Sequence, residues 1–173
     1  ESPAPTRVTT TAEYDGTNWT AGGNLGTGRS SLMVAGTLTA GIAAGGGLGS
    51  SPGFTTSTEE YDGSSWTSGG ALPTAKRNNR GFGTQTAGLN LAGETPPSGN
   101  VNTTEHYDGS SWTSGGNLAA TASNMDGEGA QTAGLATGGG PTTTTCQLYD
   151  GTSWSPTASM ANARTLHATT GGN

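Results

Sequence analysis

Four aspartates recur in one local pattern and are the first candidates for chemistry in this sequence. Each lies in a Tyr-Asp-Gly triplet with a Trp five residues after the Tyr, and the copies are Tyr14, Asp15, Gly16, Trp19; Tyr61, Asp62, Gly63, Trp66; Tyr107, Asp108, Gly109, Trp112; and Tyr149, Asp150, Gly151, Trp154. Equivalent carboxylates invite a metal-binding or catalytic interpretation. Asp also bonds its own backbone in turns, and Gly accepts positive φ, so tight turns explain the same pair. We interpret the sixteen residues as structural repeat positions.

The remaining reactive side chains are few. The chain has one cysteine, Cys146, so no internal disulfide is possible, and its two histidines, His106 and His167, occupy non-equivalent places of the repeat. A copper centre built on Cys146 and a tyrosine would need more imidazole than this. The sequence contains no Ser-His-Asp set, no metal-spaced His/Cys cluster and no phosphate-binding loop. We expect no cofactor, no metal site, no catalytic residue and no enzymatic activity.

The elements that carry these residues follow from the repeat period. Successive Tyr residues are 47, 46 and 42 residues apart, which is a spacing typical of propeller blades. In each unit, a short strand such as residues 58–61 leads into a turn and a return strand opened by Trp, and a second strand pair lies upstream, as in residues 83–89. Helical periodicity is absent throughout. The pattern predicts four short antiparallel strands per unit.

The units divide one repeat domain that covers residues 1–173. Residues 1–20 form a partial unit, residues 21–67, 68–113 and 114–155 form the second, third and fourth units, and residues 156–173 form another partial unit. The last segment has no Tyr-Asp-Gly after it, and the first has no strand pair before it. We expect head-to-tail closure in which residues 1–20 complete the last unit, with about one strand missing.

Composition and charge restrict the partners. Leu, Ile, Val and Phe together make up only 17 of 173 residues, yet only 10% of residues are charged, which is unlike most disordered chains. The net charge of −6 argues against nucleic acid, because phosphate binding needs a positive patch. No apolar run is long enough to span a membrane. We expect neither nucleic acid as a partner nor membrane insertion.

The order of motifs resembles the kelch repeat. Glycine pairs close one strand (Gly46-Gly47, Gly139-Gly140), a Tyr ends the next, a Trp follows a short turn, and Ala with Lys or Arg opens the next unit (Ala75-Lys76-Arg77, Ala163-Arg164). The wording Thr-Glu-Glu-Tyr-Asp-Gly-Ser-Ser-Trp-Thr is similar to kelch-like repeats in virion proteins of marine bacteriophages, especially cyanophages. The third unit departs from it, with Gly93-Glu94 in place of the glycine pair. The resemblance implies an all-β, β-propeller-like fold of about four kelch-type blades.

The same resemblance suggests a function. It implies a non-enzymatic structural and adhesion protein of a virion, in a tail fibre, knob or decoration, that contacts other virion proteins, copies of itself or host-surface glycans. A structural scaffold or adhesin of an extracellular bacterial assembly is the alternative, and a sialidase-like or oxidase-like enzyme is a distant third. The Trp residues are interpreted as packing between blades, with a sugar-stacking platform as the other interpretation.

Overall fold

The computed structural model describes residues 7–49 and 53–169, and this part of the chain consists of strands, isolated bridges and turns without a helix. The strands in chain order are β1 Ala12–Tyr14, β2 Trp19–Ala21, β3 Met33–Thr37, β4 Ala40–Ala44, β5 Thr58–Tyr61, β6 Trp66–Ser68, β7 Arg80–Thr84, β8 Ala87–Leu91, β9 Glu94–Thr95, β10 Gly99–Asn100, β11 Thr104–Tyr107, β12 Trp112–Ser114, β13 Asp126–Ala130, β14 Ala133–Thr137, β15 Cys146–Tyr149 and β16 Trp154–Pro156. The described residues include no helix that could cross a membrane.

Three antiparallel sheets of four strands contain most of these strands. Sheet 1 is β3-β4-β5-β6, sheet 2 is β7-β8-β11-β12 and sheet 3 is β13-β14-β15-β16, while β1-β2 and β9-β10 are two-stranded. Each four-stranded sheet is a meander in which chain order equals spatial order. The predicted all-β class with short antiparallel strands is confirmed. The described residues form three complete four-stranded sheets, where about four blades were expected. The remaining copy, β1-β2, has no inner strand pair within the described residues.

The outer hairpin of each unit has the same register. Tyr pairs with Trp across the strands in all four copies, as in Tyr61 with Trp66. Their ring centroids lie 4.7–5.1 Å apart at a tilt. The four residues between the Tyr and the Trp form the turn of the hairpin. The Trp therefore lies five residues after the Tyr in the sequence, because the two residues pair across this turn with their rings side by side.

Consecutive sheets contact each other through their first strands, since β3 lies against β7 and β7 against β13. A backbone ladder precedes these strands: Asn78 N donates to Ser31 O (2.8 Å), Asn124 N to Asn78 O (2.9 Å) and Leu166 N to Asn124 O (3.1 Å). The four residues have φ of 50–55°, which Asn tolerates better than most residues. The same backbone geometry thus recurs between successive units.

The ladder is open within the described part of the chain, where no backbone hydrogen bond joins Leu166 to Ser31. No strand pairing joins β1-β2 to the residues after β16 there either. The predicted head-to-tail closure also involves residues 1–6 and 170–173, which lie outside the described residues. Closure therefore stays a prediction.

The apolar core lies between consecutive sheets and divides into two clusters. Sheets 1 and 2 enclose Met33, Ile42, Ala44, Leu72, Tyr107 and Trp112. Sheets 2 and 3 enclose Phe82, Leu89, Leu91, Ala92, Leu118, Ala122, Met125, Ala136, Tyr149 and Trp154. Large side chains face glycines here: a Cβ on Gly134 would lie 2.2 Å from Cζ of Phe82. The small residues of the composition are what lets the sheets pack this closely.

We predict that two tryptophans at equivalent repeat positions differ in their energetic role. Trp112→Ala should lower the free energy of unfolding by about 3–5 kcal/mol, because the Trp112 side chain fills a core and is only 8% exposed. Trp19→Ala is the matched control, since Trp19 is 71% exposed, and should change it by less than about 0.5 kcal/mol. Urea unfolding of both variants measures this, and equal losses would contradict the assignment of the core.

Candidate functional site

The four repeated aspartates each close their own turn. Asp Oδ1 accepts hydrogen bonds from the backbone N–H groups two and three residues later, at 2.7–2.8 Å, in every copy. These bonds, led by the one from the backbone of Ser65, hold the pKa of Asp62 at about 2, and the corresponding bond from Ser111 does the same for Asp108. The glycine that follows has φ of 93–97°. Within the described ranges, no three His, Cys, Asp or Glu side chains form a group that could hold a metal ion.

The repeated tyrosines bond to the preceding unit. The Tyr61 hydroxyl donates to Glu13, the Tyr107 hydroxyl donates to Glu60, and the Tyr149 hydroxyl lies 2.7 Å from Nε2 of His106. Burial, followed by the bond to Glu60, raises the pKa of Tyr107 to about 12. Glu13, Glu60 and His106 are the residues immediately before a repeated Tyr. Each of these units therefore offers a polar side chain that the next unit's tyrosine bonds to.

The tryptophans that pair with these tyrosines also bond to the preceding sheet. Trp112 Nε1 donates to Thr58 Oγ1 and Trp154 Nε1 donates to Thr104 Oγ1, both at 2.9 Å. Trp66 Nε1 is buried and has no partner among the described residues. The structure thus places Trp112 and Trp154 in contacts between sheets, and places Trp19 at the surface.

Glutamines in the inner hairpins add a contact that the sequence analysis did not assign. Gln85 Nε2 donates to the carbonyls of Gly41 (3.0 Å) and Tyr61 (2.8 Å), both in sheet 1. Gln131 Nε2 repeats this with Gly88 and Tyr107 in sheet 2, at 2.9 and 2.8 Å. The signal was present, because both glutamines begin the same Gln-Thr-Ala-Gly-Leu wording.

Two buried ion pairs were also missed. Arg29 Nη2 lies 2.7 Å from Glu59 Oε1 in sheet 1, and Lys76 Nζ lies 2.7 Å from Glu105 Oε1 in sheet 2. All four residues are buried. Arg29 also donates to the carbonyls of Gly45 and Ser57, and Asn90 donates to Glu105. Such additional bonds are what offsets the desolvation of a buried pair.

Sheet 3 carries a neutral version of the same site. Ala122 stands where sheets 1 and 2 have Arg29 and Lys76, and Gln147 stands where they have the carboxylates. Gln147 Oε1 accepts from Ala119 N at 2.9 Å, as Glu59 Oε2 accepts from Gly26 N. Both charges are lost together, so no uncompensated charge is buried. This joint change is the sequence signal that would have located the pairs.

The remaining candidates for chemistry are engaged separately. The Cys146 thiol is buried and donates to the carbonyl of Thr144 at 3.7 Å, and His167 Nε2 lies 2.9 Å from Thr137 Oγ1. His106 bonds to Tyr149, and burial lowers its pKa. These three side chains share no hydrogen-bond partner in the described part of the chain.

A cavity lies beside the ladder, between loops of sheets 1 and 2. It has a volume of about 670 Å³, and its lining includes Arg7, Ser31, Phe54, Arg77, Asn78 and Glu94. This volume is within the range of about 300–1,000 Å³ usual for small-molecule sites. The guanidinium of Arg77 stacks 4.6 Å from the centre of the Phe54 ring. The cavity therefore combines an aromatic platform with cationic and polar groups.

The lining of this cavity contains two arginines and one glutamate, so positive charge is in excess there. Glu94 accepts from Arg77 Nε at 3.0 Å and from Asn78 Nδ2 at 2.9 Å, so both its oxygens are engaged. Arg7 has no ion pair within the described residues, and its buried Nε has no hydrogen-bond partner there. Two of the six cationic side chains of this acidic chain thus line one cavity. An anionic or hydroxyl-rich ligand would satisfy the remaining donors.

We predict that the buried pair of sheet 2 can be removed only as a pair. Lys76→Ala should cost about 3–5 kcal/mol, because it leaves the buried charge of Glu105 uncompensated. The double variant Lys76→Ala, Glu105→Gln copies the residues of sheet 3 and should recover most of that loss. Urea unfolding of both single variants and the double variant gives the coupling energy, and additive losses would contradict the role assigned to the pair.

Comparison with known proteins leaves the family open. No protein-family model matches the chain, and no curated protein matches it either. The kelch resemblance therefore depends on the repeated residues alone.

Proposed function

We propose that the chain is a non-enzymatic structural and adhesion module in which the consecutive sheets act as blades of a β-propeller-like array. The contacts between sheets support this proposal most directly. In sheets 2 and 3, the repeated Tyr hydroxyl and Trp Nε1 and the inner Gln are all used to bind the preceding unit. Side chains used in this way build an array, as a repeat protein requires.

The proposed setting is the surface of a bacteriophage virion, in a tail fibre, knob or decoration protein. The support is the repeat wording, which resembles that of cyanophage virion proteins, together with the acidic charge. A scaffold or adhesin of an extracellular bacterial assembly is the second candidate. Labelling purified phage particles and uninfected bacterial cells with an antibody against this chain separates the two. Label on the phage particles supports the virion setting, and label confined to bacterial surface fibres would favour the scaffold.

The cavity between sheets 1 and 2 is the proposed contact for a host-surface glycan. Arg77 stacked on Phe54 offers a flat surface to a sugar ring, and Arg7 offers guanidinium N–H groups to an acidic substituent. A single site of this kind binds weakly, and many copies on one particle would add avidity.

We predict that acidic oligosaccharides bind the chain and that Arg7 contributes to this binding. On an array of uronic-acid-containing and neutral oligosaccharides, Arg7→Gln should weaken binding of the acidic members at least about tenfold, which is 1.4 kcal/mol. Arg164→Gln is the control, because it removes one positive charge at an exposed position that does not line the cavity. Equal losses in the two variants, or unchanged binding by Arg7→Gln, would reject the cavity as the glycan contact.

A further inference from the structure

Sheets 1 and 2 each fill one interior position with a long cationic side chain. In sheet 2 this side chain is Lys76, which is 1% exposed. Its Nζ donates to Thr103 Oγ1 at 2.9 Å and to the two carboxylate oxygens of Glu105 at 2.7 and 2.9 Å. Arg29 takes the equivalent position in sheet 1. The repeat thus shows the size and shape of the group that this position accepts.

The same position in sheet 3 is a pocket. Ala122 corresponds to Lys76, because each makes the same isolated bridge to the preceding loop, and Thr145 and Gln147 correspond to the two partners of the lysine. These three residues of sheet 3 line a space of about 120 Å³, named here the sheet 3 pocket. Alanine lacks the Cγ, Cδ, Cε and Nζ atoms of lysine. The pocket has room for about four such atoms, since a water molecule in the liquid takes roughly 30 Å³.

Polar groups in the sheet 3 pocket are available to a ligand. Gln147 is 3% exposed, and its Oε1 accepts from Ala119 N at 2.9 Å, whereas its Nε2 donates no hydrogen bond within the described residues. Thr143 and Thr145 also line the pocket, with their hydroxyl oxygens 2.8 Å apart. Each hydroxyl oxygen has two lone pairs, so the pair can accept a further hydrogen bond. The pocket therefore offers an amide donor beside hydroxyl acceptors.

The rest of the lining favours a neutral group. Ala122 and Met125 are buried and supply apolar atoms, and none of the described side chains that line the pocket is charged. A charged ligand would lose its hydration here without gaining a counter-ion. Ala120, Thr121 and Pro141 belong to the lining and are exposed. The pocket consequently opens to solvent and can be entered.

We propose that the sheet 3 pocket binds the acetamido group of an N-acetylated sugar. This group has a methyl carbon, a carbonyl and a nitrogen, which equals the four atoms that Ala122 lacks. Its carbonyl oxygen accepts from Gln147 Nε2, its N–H donates to the hydroxyl of Thr145, and its methyl group packs against Met125. The site lies apart from the cavity between sheets 1 and 2, and the inference does not depend on binding there.

The open side of the pocket favours a sugar over an acetylated lysine side chain. Only the acetamido group fits inside, so the remainder of the ligand lies outside, beside the exposed Pro141. A sugar ring keeps its hydroxyl groups hydrated there and can place an apolar face on the proline ring. The alkyl chain of a lysine would instead stay exposed to water, which is unfavourable.

Saturation-transfer NMR with N-acetylglucosamine tests the proposal, because it shows which ligand protons contact the protein. The acetyl methyl protons should receive the strongest saturation. Binding should be weak and in fast exchange, since so small a group contributes little affinity. Glucose, which lacks the acetamido group, and glucosamine, which carries an ammonium group in its place, should receive no saturation.

Two variants that fill the pocket locate the binding. The double variant Ala122→Lys, Gln147→Glu copies the ion pair of sheet 2 and should abolish transfer to the methyl protons. Ala122→Leu fills the same space with apolar atoms and should do the same, so the test does not depend on the folding of one variant. Ala71→Lys is the control, because it adds a lysine at an exposed position that does not line the pocket, and it should bind like the wild type. The dispersion of the protein's own NMR signals shows that each variant is folded.

Three results would overturn the proposal. Equal saturation of N-acetylglucosamine and glucose, or none of either, would show that the acetamido group is not recognised. Unchanged transfer in a folded variant with a filled pocket would place the binding elsewhere. Transfer to the acetyl methyl of N-acetyl-lysine, without transfer to the sugar, would assign the pocket to acetylated peptides. Binding of acidic oligosaccharides by Arg7→Gln is a separate result, because Arg7 does not line this pocket.

Discussion

The structure depends on how closely the backbones of consecutive sheets approach each other. After the first three Trp strands a glycine pair meets the Tyr-Asp-Gly turn of the next unit, and a Cβ on Gly23, Gly70 or Gly116 would lie 2.1–2.3 Å from the carbonyl oxygen of Ser64, Ser110 or Thr152. No Cβ is compatible with such a distance. Glycine is therefore required at these three positions, where the turn of one sheet rests on the preceding sheet.

Close approach also explains how a chain with so few aliphatic residues can have a core. Large side chains pack directly on the neighbouring sheet where it has glycine, as Met33 does at Gly81 and Phe82 does at Gly134. Dispersion contacts with the backbone contribute to packing as side-chain contacts do. Polar side chains add to this packing, because Gln85, Tyr107 and Trp112 each donate a buried or part-buried hydrogen bond to an acceptor on the preceding sheet. Because these bonds need a defined geometry, they also set the register between units.

Much of this organisation could be predicted from the sequence, because the repeated residues mark where the turns and strands lie. The bounds of β5 match the expected strand at residues 58–61, and the Asp-Gly turns follow from local chemistry alone. The ion pairs could not be located in this way, since Arg29 and Glu59 are brought together by the path of the meander and not by a local spacing. The exposure of Trp19 was missed because a repeated motif gives no information on which copies have neighbours on both sides. The cavity is formed by loops whose sequences differ between units, so no repeat signal marks it.

A comparison of two Gly→Ala variants tests the close approach of the sheets most directly. Gly116→Ala should lower the free energy of unfolding by about 1–3 kcal/mol, because its Cβ would meet the carbonyl of Thr152 at 2.2 Å. Gly47→Ala is the control, since its Cβ would have no neighbour closer than 3.6 Å, and it should leave stability unchanged or raise it by up to about 1 kcal/mol. Urea unfolding of the two variants beside the wild type gives the result. A Gly116→Ala variant as stable as Gly47→Ala would contradict this account of how the sheets pack.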